Sequence, residues 1–80
     1  MNQELDNEIQ IKLLNIAKNI RKLRNDKKYS QMRVSHEAGI SYRIYQSIES
    51  NKPRNIHFAT LYKLLKFYNV KLETLMNLNE

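Results

Sequence analysis

The most constraining feature of this chain is its only glycine, Gly39, which stands in the run SQMRVSHEAGIS at residues 30–41. A short helix that ends sharply needs a residue that tolerates positive φ just after its last turn, and glycine does so without steric cost. Ser41 follows two residues later and can cap a further helix almost at once. With Ser30 as the cap of the preceding helix, the run predicts two short helices joined by a tight turn.

Apolar residues recur at three- and four-residue steps along the chain, which predicts helices and no strands. We expect five helices, the first over about residues 8–25 with Asp6 or Asn7 as its cap and the third over about residues 42–50. The residues expected to face the core are Ile9, Leu13, Ile16, Ala17, Ile20 and Leu23 in the first helix, Val34, Ser35 and Ala38 in the second, Phe58, Leu61, Leu64, Leu65 and Tyr68 in the fourth, and Leu72, Leu75 and Met76 in the fifth.

Length and charge narrow the classes of function. Eighty residues support one domain with a modest core, and the formal net charge is +6. Residues 12–54 hold eleven Lys and Arg against three acids, whereas residues 1–11 hold three acids and no Lys or Arg. A positive field in the middle of the chain suits a polyanionic partner.

Several kinds of site are excluded by residue type. The chain has no cysteine, and His36 and His57 alone cannot form a structural zinc centre. One glycine cannot build a phosphate-binding loop. No apolar run approaches the length of a membrane span, and the first ten residues lack the apolar core of a secretion signal. We therefore expect a cytoplasmic, non-enzymatic protein without cofactor, metal or membrane contact, with both histidines on the surface or at a helix start.

The predicted third helix has two distinct faces. At about 100° per residue, Ile44, Tyr45 and Ile48 fall on one side, which is expected to face the core. The opposite side carries Tyr42, Arg43, Gln46, Ser47 and Ser50. Guanidinium, amide and hydroxyl groups can bond base edges, since Arg pairs with guanine and Gln with adenine through two hydrogen bonds. The second helix of a helix-turn-helix is the element that enters the major groove of DNA, so this face is the candidate binding surface.

Residues 16–76 resemble the XRE family of helix-turn-helix domains, which includes the phage Cro and repressor proteins. The resemblance is carried by Ile20-Arg21-x-Leu23-Arg24, by Tyr29-Ser30-Gln31-x-x-Val34-Ser35-x-x-Ala38-Gly39-Ile40-Ser41, by Ile48-Glu49, and by Leu61-x-x-Leu64-Leu65-x-x-Tyr68-Asn69-Val70-x-Leu72-x-x-Leu75. It implies an all-α, compact, five-helix, lambda-repressor-like fold that binds operator DNA. Residues 13–78 would form this domain, and residues 1–12 would extend its first helix.

The resemblance also implies roles for individual residues. Base reading falls to Tyr42, Arg43, Gln46 and Ser47. Contacts with the DNA backbone fall to Ser30, Gln31, Arg33, Asn51, Lys52 and Arg54. Arg24 and Glu49 match a pair that in relatives joins the first helix to the end of the third, a structural role.

The chain departs from the family pattern at several places. Asn51 and Asn69 stand where helix-ending glycines are usual, and asparagine keeps some tolerance for left-handed backbone. Pro53 prevents the third helix from continuing. Met32 and Arg33 replace an acidic pair, which removes negative charge beside the expected phosphate. Tyr45 replaces a smaller aliphatic residue on the buried side, so its hydroxyl must find a partner, reach solvent or contact DNA.

These observations predict a small, sequence-specific regulator that binds double-stranded DNA as a homodimeric repressor. The expected dimer interface is the apolar set Val70, Leu72, Leu75, Met76 and Leu78, with Ile11 and Leu14 as the second choice. Two alternatives stay open at this point. One is an antitoxin or restriction-controller type of regulator with a protein partner, and the other is a basic protein-interaction module.

Overall fold

Caps, turns and apolar faces organise the described part of this chain into helices. The computed structural model describes residues 2–52 and 54–77, and these residues contain no strand. The described helices are α1 (Gln3–Asp26), α2 (Gln31–Ala38), α3 (Tyr42–Ile48), α4 (Phe58–Tyr68) and α5 (Leu72–Met76). The predicted all-α, five-helix architecture is confirmed. Pro53 and Leu78 lie outside the described residues.

The turn around Gly39 has the predicted geometry. Gly39 is left-handed, with φ 72° and ψ 39°, and the amide of Ile40 donates to the carbonyl of Ser35 at 2.9 Å. The Ser30 hydroxyl accepts from the amide of Arg33 at 3.0 Å, and the Ser41 hydroxyl accepts from the amide of Ile44 at 3.2 Å. Both serines therefore satisfy amides that the first turn of a helix leaves without partners.

The ends of two helices differ in detail from those predicted. Helix α1 begins at Gln3, so it includes most of the extension predicted over residues 1–12, but its cap is not Asp6 or Asn7. The Asn2 side chain caps it by accepting from the amides of Glu4 and Leu5. Acidic residues in that first turn also suit the positive end of the helix dipole. Helix α3 ends at Ile48, and Asn51 is not left-handed. The described non-glycine residues with positive φ are Lys28 and Asn69, of which only Asn69 is the predicted helix end.

The core lies where α1, α2, α3 and α4 meet, with α5 closing it against α1. Its fully buried side chains include Ile20, Val34, Tyr45, Leu64 and Leu75. Three residues predicted to face the core are instead exposed: Ile9 by 43%, Ile44 by 46% and Phe58 by 72%. Ile9 lies before the point at which α1 meets other helices, Phe58 is the first residue of α4, and Ile44 lies at the edge of the inner face of α3.

Two asparagines of α1 hold the end of α5. The buried Asn19 amide donates to the carbonyls of Leu75 at 2.7 Å and Asn77 at 2.8 Å, and Asn15 donates to the carbonyl of Met76 at 2.9 Å. The last carbonyls of a helix have no partners within it, so these side chains replace the missing bonds. We define this set of bonds as the asparagine clamp. Among the described residues, no helix combines the length and apolar character required to cross a membrane.

Candidate nucleic-acid interface

The outer face of α3 brings the four predicted base-reading residues together. Tyr42, Arg43 and Gln46 are exposed, and Ser47 is half-buried. Within the described part of the chain, no side-chain hydrogen bond or ion pair engages Tyr42, Arg43 or Gln46. Their donor and acceptor groups are therefore available to a ligand that approaches along the helix.

Ile44 belongs to this outer surface, and the sequence analysis placed it in the core. It helps to line a hollow of about 310 Å³ between α3 and the start of α4, together with Arg43, Ser47, Arg54 and Ile56. On the helical wheel Ile44 lies about 100° from the buried Tyr45 and about 60° from Ser47 of the outer face, so the wheel places it at the border between the two faces. An exposed apolar side chain among hydrogen-bonding groups can contact the methyl group of thymine.

The predicted backbone-contacting residues differ in how they are engaged. Lys52 and Arg54 are exposed in the segment after α3, and Ser30 is an exposed cap. The Arg33 guanidinium pairs with Glu37 at 2.7 Å and lies 4.0 Å from the centre of the Tyr29 ring. Only Nε of Arg33 takes part in the bond to Glu37, so its terminal N–H groups remain available to a phosphate.

Two further residues predicted to contact the DNA backbone form hydrogen bonds within the protein. The Gln31 side chain donates to the Glu49 carboxylate at 3.0 Å, which leaves its carbonyl oxygen and a second N–H for other partners. Asn51 accepts from the Arg21 guanidinium at 3.2 Å, so Arg21 reaches the segment after α3 from α1. Arg21 was not among the predicted site residues, although it lies in the basic region of residues 12–54. Arg21 and Arg54 thus add positive charge beside the end of α3.

A buried ion pair supports α3 from inside. The Arg24 guanidinium donates to the Glu49 carboxylate through two bonds of 2.7 and 2.9 Å, and it also donates to the carbonyl of Tyr29 at 2.9 Å. Only 2% of the Glu49 side chain is exposed. Burial acts to raise the pKa of Glu49, but bonds from Arg24, Tyr45 and Gln31 hold this pKa below its ordinary value. The pair therefore stays ionised and ties the end of α3 to α1.

Tyr45 anchors the middle of α3. Its side chain is fully buried, and its hydroxyl lies 3.0 Å from the hydroxyl of Tyr68 on α4. Burial raises the pKa of Tyr45 far above its ordinary value, and the neighbouring Glu49 carboxylate and Tyr68 hydroxyl raise it further. The prediction that this hydroxyl needs a partner is confirmed, whereas contact of Tyr45 with DNA is ruled out by its complete burial.

The fold and this surface together define a helix-turn-helix module. A family model described as a helix-turn-helix domain matches residues 17–80. The chain belongs to this family, and its resemblance to XRE-type domains is confirmed. The comparison with curated proteins and the comparison with solved structures returned no match. Membership of the family supports DNA binding and a role in transcription regulation.

Proposed function

We propose that the protein is a sequence-specific regulator of transcription that binds double-stranded DNA in the cytoplasm and acts as a repressor. The observation that carries the proposal is the contrast between the two sides of α3. The inner side is fixed by Tyr45, Ile48 and Glu49, whereas the outer side presents groups that bind no other part of the described chain. A rigid helix with an unoccupied polar face is suited to reading bases in the major groove.

The side-chain chemistry of the outer face supports a separate DNA-binding role for each of its residues. Arg43 can donate two bonds to guanine, and Gln46 can exchange two bonds with adenine. Tyr42 and Ser47 add hydroxyl groups that can bond a base or a phosphate. Lys52 and Arg54 would neutralise phosphates, and Gln31 would donate to a phosphate beside the start of α2.

A homodimer is part of the proposal because one recognition helix covers only about 4–5 base pairs, too few to define an operator. The proposed interface is the outer side of α5 and its approach, where Val70, Leu72 and Met76 remain half-buried. Leu75, named for this interface by the sequence analysis, is fully buried in the core and cannot contribute. The second-choice interface on α1 offers less free apolar surface than predicted, because Ile11 is exposed but Leu14 is half-buried. Two such domains would read half-sites about one helical turn apart.

Selection from random duplex DNA tests the proposal most directly. We expect a motif with two-fold symmetry, and binding that weakens steeply as salt rises. Arg43→Ala should relax preference at one or two positions of the motif, at a cost of roughly 1–3 kcal/mol. The matched control is Lys52→Ala, which should weaken binding to all sequences alike. Salt-dependent binding to any polyanion without preference would contradict the proposal.

The exposed Ile44 permits a second, narrower test on the selected motif. Replacing thymine by uracil removes only the 5-methyl group from the major groove. If Ile44 contacts that methyl, one such replacement weakens binding by the native protein and has no effect on the Ile44→Ala variant. Equal sensitivity of both proteins at every thymine would remove Ile44 from the reading surface.

A further inference from the structure

The first nine described residues of α1 form a helical segment whose side chains are all exposed. We call residues 3–11 the arm. Every residue of the arm is exposed, and its apolar members Leu5, Ile9 and Ile11 are exposed by 50%, 43% and 58%. Leu5 and Ile9 lie one turn apart and continue the stripe that enters the core at Leu13. The arm thus presents an apolar stripe to solvent on a helix that Asn2 caps at its start.

The arm is also the acidic part of a basic chain. Glu4, Asp6 and Glu8 lie within it, and it contains no Lys or Arg. At about 100° per residue, Glu4 and Glu8 border one side of the Leu5–Ile9 stripe, and Asp6 borders the other. An apolar stripe between carboxylates fits a surface that is both apolar and basic.

Such a surface lies in the groove between α2 and α4. The groove has a volume of about 370 Å³, and its lining includes Ala38, Tyr62, Lys63, Lys66 and Phe67. Tyr62 is exposed by 50%, and its ring lies 6.0 Å from that of Phe58, which is exposed by 72%. Glu37 also lines the groove, but its charge is paired with Arg33. The groove therefore offers aromatic surface beside two lysines.

The arm cannot reach the groove of its own molecule. Phe67 contacts Tyr29, which follows the C-terminal end of α1, at a ring separation of 6.1 Å. The arm is at the opposite end of α1, a straight path of 24 residues or about 36 Å. That length matches the longest dimension of the molecule, 38 Å. Any contact between arm and groove must therefore join two molecules.

We propose that the arm of one copy docks in the α2–α4 groove of a second copy. Leu5 and Ile9 pack on Tyr62 and Phe67, and the carboxylates of Glu4 and Glu8 lie near the ammonium groups of Lys63 and Lys66. Because arm and groove lie at opposite ends of α1, two antiparallel copies make both contacts around one two-fold axis. This assembly forms in the free protein, whereas the interface at α5 is proposed for two copies that bind adjacent half-sites on DNA. An experiment without DNA therefore tests the contact between arm and groove, which does not depend on the proposed base reading.

Sedimentation equilibrium of the native protein without DNA tests the contact. We expect a reversible dimer whose dissociation constant rises at least tenfold in the Leu5→Asp/Ile9→Asp variant. The matched control is Ile11→Asp, because Ile11 is also exposed, by 58%, but lies about 120° away from Leu5 around the helix. Neither change removes a buried group, and unchanged thermal unfolding checks this. A native protein that stays monomeric, or a double variant that dimerises as the native protein does, overturns the proposal.

Charge reversal identifies the occupant of the groove. Glu4→Lys/Glu8→Lys and Lys63→Glu/Lys66→Glu should each weaken self-association, since like charges then face each other. An equimolar mixture of the two variants should regain native association, because each arm then meets a groove of opposite charge. Failure of the mixture to associate would show that the arm does not dock in this groove. If the mixed variants associate but the native protein does not bind DNA, the result would contradict the proposed function and leave the docking of the arm supported.

Discussion

The inner and outer sides of α3 differ in how the rest of the molecule engages their side chains. Inside, Tyr45 bonds Tyr68, and Glu49 bonds Arg24 and Gln31, so that α3 is tied to three other helices. Outside, Tyr42, Arg43 and Gln46 project from the same two turns without such partners. Stability and the proposed recognition of DNA therefore fall to different residues of α3 and its C-cap Glu49. Substitutions on the outer side should alter ligand preference without altering the fold.

Among the predicted losses in the free energy of unfolding, the largest is expected when Glu49 on the inner side is replaced. Glu49→Ala leaves the Arg24 guanidinium without its carboxylate in a largely buried position and should lower the free energy of unfolding by about 3–5 kcal/mol. The matched control is Glu37→Ala, which breaks the exposed pair with Arg33 and should leave stability nearly unchanged. Denaturant unfolding of both variants measures the difference. Equal, small losses would show that the buried pair does not hold α3.

Acid should reduce the stabilisation that the ionised Glu49 carboxylate contributes on the inner side of α3. The pKa of Glu49 in the folded protein lies below its ordinary value near 4.5, so folding favours the ionised form. The stabilisation is fully present above that value and is lost as pH falls through the folded pKa. The Glu49→Gln variant lacks this contribution, so the gap between it and the native protein should narrow in acid. Unfolding at pH 7 and pH 3 measures the gap, and a widening gap would contradict the sign.

The tyrosine pair offers a smaller and more local test. Tyr45→Phe removes one hydroxyl and leaves that of Tyr68 buried without its partner, a cost of about 1–3 kcal/mol. Tyr68→Phe should cost a similar amount. The double variant should be more stable than the sum of the single losses predicts, because no orphaned hydroxyl remains. Additive losses would mean that the two hydroxyls do not bond each other.

Substitutions at Gly39 test whether the turn between α2 and α3 requires a left-handed backbone. No atom lies within 4 Å of an added Cβ, so the penalty for a side chain comes from the backbone conformation alone. Gly39→Val should then destabilise the domain by more than about 1 kcal/mol, since a β-branched residue resists positive φ. Gly39→Asn is the control and should cost less, because asparagine tolerates left-handed backbone. Thermal unfolding without DNA compares the two variants. Equal melting temperatures would show that the left-handed backbone at Gly39 does not limit the choice of residue.

The smallest expected change in stability is on the outer side. Arg43→Ala should leave the free energy of unfolding within about 0.5 kcal/mol of the native value, because no described group bonds its side chain. The same protein, tested for binding to the selected motif, should show the altered base preference. A marked loss of stability would mean that the two sides of α3 are coupled.

Local signals explain how much of the fold could be predicted. Ser30, Gly39 and Ser41 act on backbone within four residues of themselves, so their roles could be read directly from the sequence. Helical periodicity identifies an apolar stripe, but it does not reveal where the neighbouring helices end. Ile9 and Phe58 therefore matched the core pattern and lie outside the core.

The candidate site was predictable in position more than in detail. The four base-reading residues share one exposed face, as the helical wheel predicts, and their roles stay predictions. The engagement of Arg33 with Glu37 and the bond between Arg21 and Asn51 depend on side-chain choices and long-range packing. The helical wheel groups Ile44 with Tyr45 and Ile48, yet Ile44 is exposed by 46%. On a helix with one polar face, an apolar residue at the border can belong to either side.

The asparagine clamp has a consequence for the order in which the chain folds during synthesis. It joins Asn15 and Asn19 to carbonyls 56–61 residues later in the chain. A ribosome releases the first four helices before it releases α5, and until then Leu75 cannot fill its place in the core. We therefore expect a nascent chain that ends before α5 to lack a stable recognition surface. The growing polypeptide would acquire affinity for its ligand late, in a single step, when the last helix closes on the first.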